Sequence, residues 1–174
     1  MKGGPGSGGK ARGGKAGGGK AREGEKLVAT NRRARFDYAI EDSWEAGIVL
    51  TGSEVKSLRD ANVNLSDAYA QPRGAELFLV NCRIGEYAQA AHFGHAPLRD
   101  RKLLLNRNEI ERIRGKVEQR GYTLVPLRLY FRGGWAKVEL GLGKGRAHED
   151  RRDAIAERET RREMDRAMGR ARRR

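Results

Sequence analysis

Tyr122-Thr123-Leu124-Val125-Pro126-Leu127-Arg128-Leu129-Tyr130-Phe131-Arg132-Gly133-Gly134-Trp135-Ala136-Lys137-Val138-Glu139-Leu140-Gly141-Leu142 decides the fold. Its period is two, the period of a strand whose side chains point alternately to opposite faces. Leu127, Leu129 and Phe131 are expected on one face, Arg128 and Tyr130 on the other. Gly133-Gly134 tolerates the positive φ angles of a tight hairpin turn. The return strand sets Ala136, Val138, Leu140 and Leu142 against Trp135, Lys137, Glu139 and Gly141. Two such runs around a two-residue glycine turn predict an antiparallel hairpin.

The neighbouring segments supply short elements of the same kind. Ile48-Val49-Leu50 is a brief apolar run. Thr51-x-x-Glu54 after it has the form of a capping box, opening a short helix through Val55 and Leu58. Glu76 to Ile84 reads as a strand. Asn106 to Gln119 reads as a helix, with Ile110, Ile113 and Val117 on one face, a second capping box in Asn106-x-x-Glu109, and Gly121 as a stop signal. The residues from 27 to 147 thus predict a mostly β domain. The expected form is a small antiparallel barrel of the oligonucleotide-binding type with two or three short flanking helices.

Two basic tails flank this domain. Residues 1–26 contain 11 glycines, 7 Lys/Arg and 2 Glu, and almost nothing apolar. Such a leader cannot bury enough surface to offset its ordering entropy and is expected to be disordered, at most a nonspecific contact to phosphates. Residues 148–174 contain 10 Arg and 7 Asp/Glu with few apolar residues. Helices of that length are marginal alone, so this tail is expected to become helical only when a partner holds it. The whole chain of 174 residues carries a formal net charge of +14. A balance this basic points to a polyanion, nucleic acid or an anionic membrane surface. No apolar run approaches the roughly 20 residues of a membrane helix, the leader has no apolar signal region, and the last tail is too thinly apolar for interfacial binding. These observations favour nucleic acid over membrane.

Catalytic chemistry is not apparent. The single Cys82 lies in an apolar, strand-like run and reads as a small buried side chain in a reducing compartment, not as a nucleophile. His92-x-x-His95 lies in loop-like sequence near Gly94 and Pro97, without a third ligand at metal spacing. Most carboxylates sit beside Lys or Arg, as on a solvated surface. Gly141-Leu142-Gly143-Lys144-Gly145-Arg146 lacks the spacing and the hydroxyl residue of a Walker loop. It is either a backbone path that lets RNA phosphates approach Lys144 and Arg146, or a flexible exit from strand to tail. No catalytic residue, metal or cofactor is expected.

Seven runs resemble one family, in its order. They are Asn31-Arg32-Arg33-Ala34-Arg35, Glu45-Ala46-Gly47-Ile48, Gly52-Ser53-Glu54-Val55-Lys56-Ser57-Leu58-Arg59, Leu65-Ser66-Asp67, Arg101-Lys102-Leu103-Leu104-Leu105-Asn106, Gly121-Tyr122-Thr123-Leu124-Val125-Pro126-Leu127, and Gly141 to Gly145. From about Thr30 to Glu159 the chain resembles the SsrA-binding protein family, small protein B. The resemblance implies an oligonucleotide-binding-type barrel that grips the elbow of the tRNA-like domain of transfer-messenger RNA. It implies delivery of that RNA to bacterial ribosomes stalled on messages without a stop codon, and a C-terminal tail that folds in the empty message channel. Implied partners are the small ribosomal subunit with its 16S RNA and, indirectly through charged transfer-messenger RNA, elongation factor Tu. A cytoplasmic monomer is implied.

The resemblance also carries residue roles. Glu45 matches a carboxylate that contacts the RNA elbow; beside RNA it must accept from a base amino group or a 2′-hydroxyl, because otherwise it repels phosphate. Leu104 and Asn106 match a contact pair, although Asn106 also reads as a helix cap. Lys137 matches a lysine on the outward face of the last strand. Gly145 matches a glycine at the tail hinge, flanked by the basic Lys144 and Arg146, and Met168 matches a tail methionine. Within the tail, His148, Arg151, Arg152 and Ile155 are expected at the ribosomal decoding site. One departure stands out. The family usually has His or Tyr, then an acid and two basic residues, whereas this chain has His148-Glu149-Asp150-Arg151-Arg152. Ungapped alignment puts Glu149 at the aromatic position and a one-residue shift puts His148 there. His148 is favoured, because glutamate cannot stack on a base. The other readings are a generic single-strand binder, which would carry aromatics along a groove, and an RNA-processing enzyme, which would need a metal cluster or paired carboxylates.

Overall fold

A computed structural model of the chain describes residues 22–89, 94–146, 157–164 and 166. Nine strands and three short helices follow in the order β1 (Glu25–Thr30), α1 (Ala34–Asp37), β2 (Tyr38–Ile48), α2 (Gly52–Arg59), β3 (Val63–Asn64), β4 (Tyr69–Arg73), β5 (Glu76–Val80), β6 (Arg83–Ile84), β7 (Arg101–Leu104), α3 (Arg107–Val117), β8 (Tyr122–Arg132) and β9 (Trp135–Gly145). Residues 157–164 are helical as well.

Seven strands form one sheet in the order β1-β8-β4-β5-β7-β2-β9, and β8 also pairs with β9. The second pairing closes a ring of six strands and leaves β1 as an addition on β8. Every strand pair is antiparallel. This closed, mostly antiparallel sheet with short helices accords with the expected barrel of the oligonucleotide-binding type. Inside the ring, Leu77, Leu79, Leu103, Leu124, Leu129, Val138, Leu140 and Leu142 are buried with Leu58 of α2 and Ile113 of α3. A smaller cluster of Ala34, Val125 and Leu127 lies where α1 covers the outside of the ring.

The hairpin forms as its period predicts, with Gly133 and Gly134 at φ +56° and +80°. Its expected faces need one correction. The register runs Pro126 to Leu140, then Arg128 to Glu139, so Leu127 is an extra residue on β8. The bulge turns Leu127 outward into the α1 cluster while Leu129 stays inside. A period-two reading cannot anticipate such a phase change. The expected strand from Glu76 to Ile84 is also two strands. Asn81 takes a φ of +55°, which ends β5 and hands β6 to a separate pairing with β3. β1 begins at Glu25, inside the segment read as leader, because Arg128 and Arg132 hold the Glu25 carboxylate.

Both capping-box acids reach back as expected. The Thr51 N–H donates to Glu54 Oε2 at 2.8 Å, and the Asn106 N–H to Glu109 Oε2 at 3.1 Å. Glu54 does more than cap α2. It is fully buried and accepts from Arg99 Nη2 at 2.7 Å and from the equally buried Arg101 Nε at 2.8 Å. Arg101 also donates from Nη1 to the carbonyls of Cys82 and Arg99 and from Nη2 to that of Pro97. Burial opposes ionisation of Glu54, but the donors from Arg99, Thr51 and Arg101 outweigh it and hold the carboxyl below its ordinary 4.5. The contribution of Glu54 to stability is therefore complete above pH 4.5 and is lost as pH falls through the depressed folded value. Glu54→Ala leaves Arg101 buried and unpaired, so it should cost about 3–5 kcal/mol in urea unfolding. It should also remove part of the acid-induced loss of stability that the natural chain shows below pH 4.5.

Candidate nucleic-acid interface

Cross-strand register assembles one outward surface from residues far apart in sequence. Leu27 of β1 faces Tyr130, Tyr130 faces Lys137, Lys137 faces Gly47, and Gly47 faces Leu104. The next row is Thr30, Arg128, Glu139 and Glu45. Beyond the first row lie Glu25, Arg132 and Trp135, at the turn end of the hairpin. The sheet thus brings Glu45, Leu104 and Lys137 to one face. Asn106, exposed at the N-terminus of α3, follows two residues after Leu104.

The face is interlaced with ions. Arg128 bonds Glu25 and Glu139, and Arg132 bonds Glu25 and Glu45. Glu45 also accepts from the Tyr130 hydroxyl, and its other oxygen lies 4.0 Å from Lys137 Nζ. Three carboxylates and three cations therefore share the face. The Glu25 side chain is shut from solvent. Burial works against its charge, but hydrogen bonds from Arg128, Arg132 and the Arg22 N–H prevail and lower it to about 2. Burial and the Glu45 carboxylate both push the Tyr130 hydroxyl upward, so it stays a donor.

Beside the ions runs an open groove of about 460 Å³, lined by Val49, Leu104, Phe131, Trp135 and Lys137 among others. Trp135 is 75% exposed, Leu104 52% and Val49 44%. Large apolar side chains left in water beside a lysine suit the faces of bases and sugars. Trp44, by contrast, packs against the core with Lys116 over its ring.

The remaining expected site residues lie elsewhere. Lys144, Gly145 and Arg146 are at the far end of β9, about 23 Å from Lys137 at ~3.3 Å per residue. Lys144 and Gly145 are exposed, and the Arg146 N–H donates to the Asp37 carbonyl. The glycine run is not a loose exit at its start. It continues β9, and Gly141 and Gly143 lie where β2 and Leu127 press closest. A Cβ on Gly143 would sit 2.7 Å from Tyr38 Cβ, and one on Gly141 would sit 2.9 Å from Leu127 Cδ1. His148, Arg151, Arg152, Ile155 and Met168 lie outside the described residues, as does His92. His95 Nε2 faces the Ile84 carbonyl at 3.0 Å and Nδ1 the Ser53 hydroxyl at 2.9 Å, which leaves neither nitrogen for a metal. Among the described residues no three His, Cys, Asp or Glu side chains gather as a metal site. Cys82 is buried, and burial pushes its thiol up to about 11.

A family model described as "SmpB protein" matches residues 28–170. The chain belongs to the SmpB family. An SsrA-binding protein of Anaeromyxobacter sp. (strain Fw109-5) is 82% identical over 151 residues, covering 87% of this chain and 92% of the relative. One from Myxococcus xanthus (strain DK1622) is 63% identical, covering 84% and 91%. A solved structure, described as "tmRNA-SmpB: a journey to the center of the bacterial ribosome", superposes with a TM-score of 0.61 at 46% identity over 73% of this chain and 93% of that one.

Sequence reasoning placed Glu45, Leu104 and Lys137 at the candidate face but not Arg128, Tyr130, Arg132 or the groove-lining Trp135. The outward parity of Trp135 was visible; the partners of Glu45 depend on register across three strands and were not. The packing of the glycine run gives a direct test. Gly143→Ala should lower stability by about 1–3 kcal/mol through overpacking, whereas Gly145→Ala, with open space around it, should leave the thermal midpoint unchanged.

Proposed function

We propose that this chain binds the tRNA-like domain of transfer-messenger RNA and brings it to stalled ribosomes for trans-translation. The observation that carries the reading is the convergence of Glu45, Leu104 and Lys137 on one face of an SmpB-family fold, beside an apolar groove. Lys137 attracts phosphate, Leu104 and Trp135 offer apolar surface, and Glu45 accepts from a hydroxyl or amino group. Asn106 adds a side chain at the mouth of the same face. Lys144, Gly145 and Arg146 serve where the chain leaves the sheet.

In this reading the domains are a leader over 1–26, whose last two residues already join β1, the RNA-binding sheet over 27–147, and a tail over 148–174. The tail enters the empty message channel, with His148 stacking on decoding-site RNA of the small subunit, Arg151 and Arg152 facing phosphates, and Ile155 and Met168 packing against the channel. Elongation factor Tu joins through charged transfer-messenger RNA. The protein acts as a cytoplasmic monomer. Peptidyl transfer belongs to the ribosome, so the chain itself performs no catalysis.

Equilibrium binding to the tRNA-like domain, with elongator tRNA and an unstructured RNA as controls, tests the reading across a salt series. A preference for the tRNA-like domain should persist at high salt. It should fall about tenfold on Leu104→Ala or Lys137→Ala, the factor that ~1.4 kcal/mol represents. Equal affinity for all three RNAs, with a common steep loss of about 0.7 in log–log slope per phosphate contact, would reduce the chain to a nonspecific RNA binder. For the tail, His148→Ala should abolish tagging in a reconstituted system while Glu149→Ala retains it. The reverse result would place Glu149 at the decoding site.

A further inference from the structure

We infer that Tyr130 and Arg132 are positioning residues, which fix one oxygen of Glu45 so that the other is left to accept a hydrogen bond from RNA. The inference rests on the reading of Glu45 as part of the RNA interface. Glu45 Oε2 takes the Tyr130 hydroxyl and, at 2.6 Å, Arg132 Nη1. Oε1 has Lys137 Nζ at 4.0 Å, too far for a direct hydrogen bond. The side chain keeps 34% of its surface in solvent. One oxygen is thus anchored, and the other makes no direct hydrogen bond among the described residues.

The anchor is itself held. Tyr130 is 1% exposed, so it cannot touch RNA directly. Its ring lies under the guanidinium groups of Arg128 and Arg132, at 4.4 and 5.5 Å from its centre. Arg132 is tied in turn to the enclosed carboxylate of Glu25. Without this frame Glu45 would be a flexible carboxylate opposite Glu139 in the register, where like charges repel. It would also repel the RNA backbone. With the frame its charge is compensated, and its acceptor is aimed before RNA arrives, which reduces the ordering cost of binding.

A carboxylate at neutral pH only accepts, and so does a phosphodiester. The RNA group facing Oε1 must therefore be a donor, either a ribose 2′-hydroxyl or an exocyclic amino group. An interface that recognises such a donor discriminates among RNAs, whereas charge alone does not.

A double-mutant cycle on the full chain tests this, reading affinity for the labelled tRNA-like domain. Tyr130→Phe should weaken binding about tenfold in the natural background, and less than about twofold in Glu45→Gln, because it acts through Glu45. The salt slope should be the same for all four proteins, since no cation is removed. If Tyr130→Phe lowers the melting temperature, Arg132→Gln replaces it in the same cycle, read by affinity alone because that change removes a cation. Equal losses in both backgrounds would overturn the inference while leaving the interface reading intact. Natural affinity in Glu45→Gln would overturn the placement of Glu45 and the inference together. RNA carrying nucleosides that lack the exocyclic amino group (inosine, purine riboside and zebularine), or 2′-methoxy for 2′-hydroxyl, identifies the donor. The Glu45 dependence should vanish with one of the two, and its survival with both would overturn the donor assignment.

Discussion

The buried carboxylate of Glu54 is the constraint on which most of the structure hangs. It caps α2 through the Thr51 N–H and meets two arginines from the chain just before and within β7. Arg101 then satisfies the carbonyls of Cys82, Pro97 and Arg99, which lie outside the strands and helices. A buried ion pair of this kind has a net worth near zero against an apolar substitute, yet it is costly to break. Its service here is geometric. β7 is only four residues long, and it bridges β5 to β2 to close the ring. Arg101 fixes one end of that strand, and Leu104 stands at the other. The position of an exposed leucine is therefore set by an ion pair inside the protein.

A second ionic network, on the outside, works differently. Glu25, Glu45 and Glu139 alternate with Arg128, Arg132 and Lys137 across four strands, so the face carries little net charge within a chain of +14. A uniformly cationic face would bind any RNA. Compensated charge beside an apolar groove instead requires a partner of matching shape and donor pattern. The surplus positive charge lies elsewhere, notably in the two basic tails.

Much of this was legible in the residues. The hairpin, both capping acids and the apolar face of α3 follow from local spacing, and the outward parity of Lys137 held to the end of β9. What failed was non-local or conformational. The extra Leu127 shifts the phase of β8 in mid-strand, and the pressure of Ile40 and Tyr38 on Gly141 and Gly143 comes from β2, a hundred residues earlier. β2 itself, with Glu41, Asp42 and Glu45 between its apolar residues, carries no strong strand signal before Ile48. At the site, the family resemblance marked Glu45 and Lys137. Tyr130 and Arg132 became visible only once register set them against Glu45, and no spacing rule anticipates a contact between residues 45 and 130.

The most direct measurement is chemical-shift mapping of the full chain by NMR as the tRNA-like domain of transfer-messenger RNA is added. The account predicts shifts concentrated at Glu45, Gly47, Leu104, Asn106, Trp135 and Lys137, with the Trp135 indole among the largest. Residues of the separate cleft formed by Asn31, Asp37, Asp67 and Tyr69 should stay still. Shifts centred on that cleft, with the Trp135 indole unmoved, would contradict the placement of the RNA on the β2, β7, β8 and β9 face.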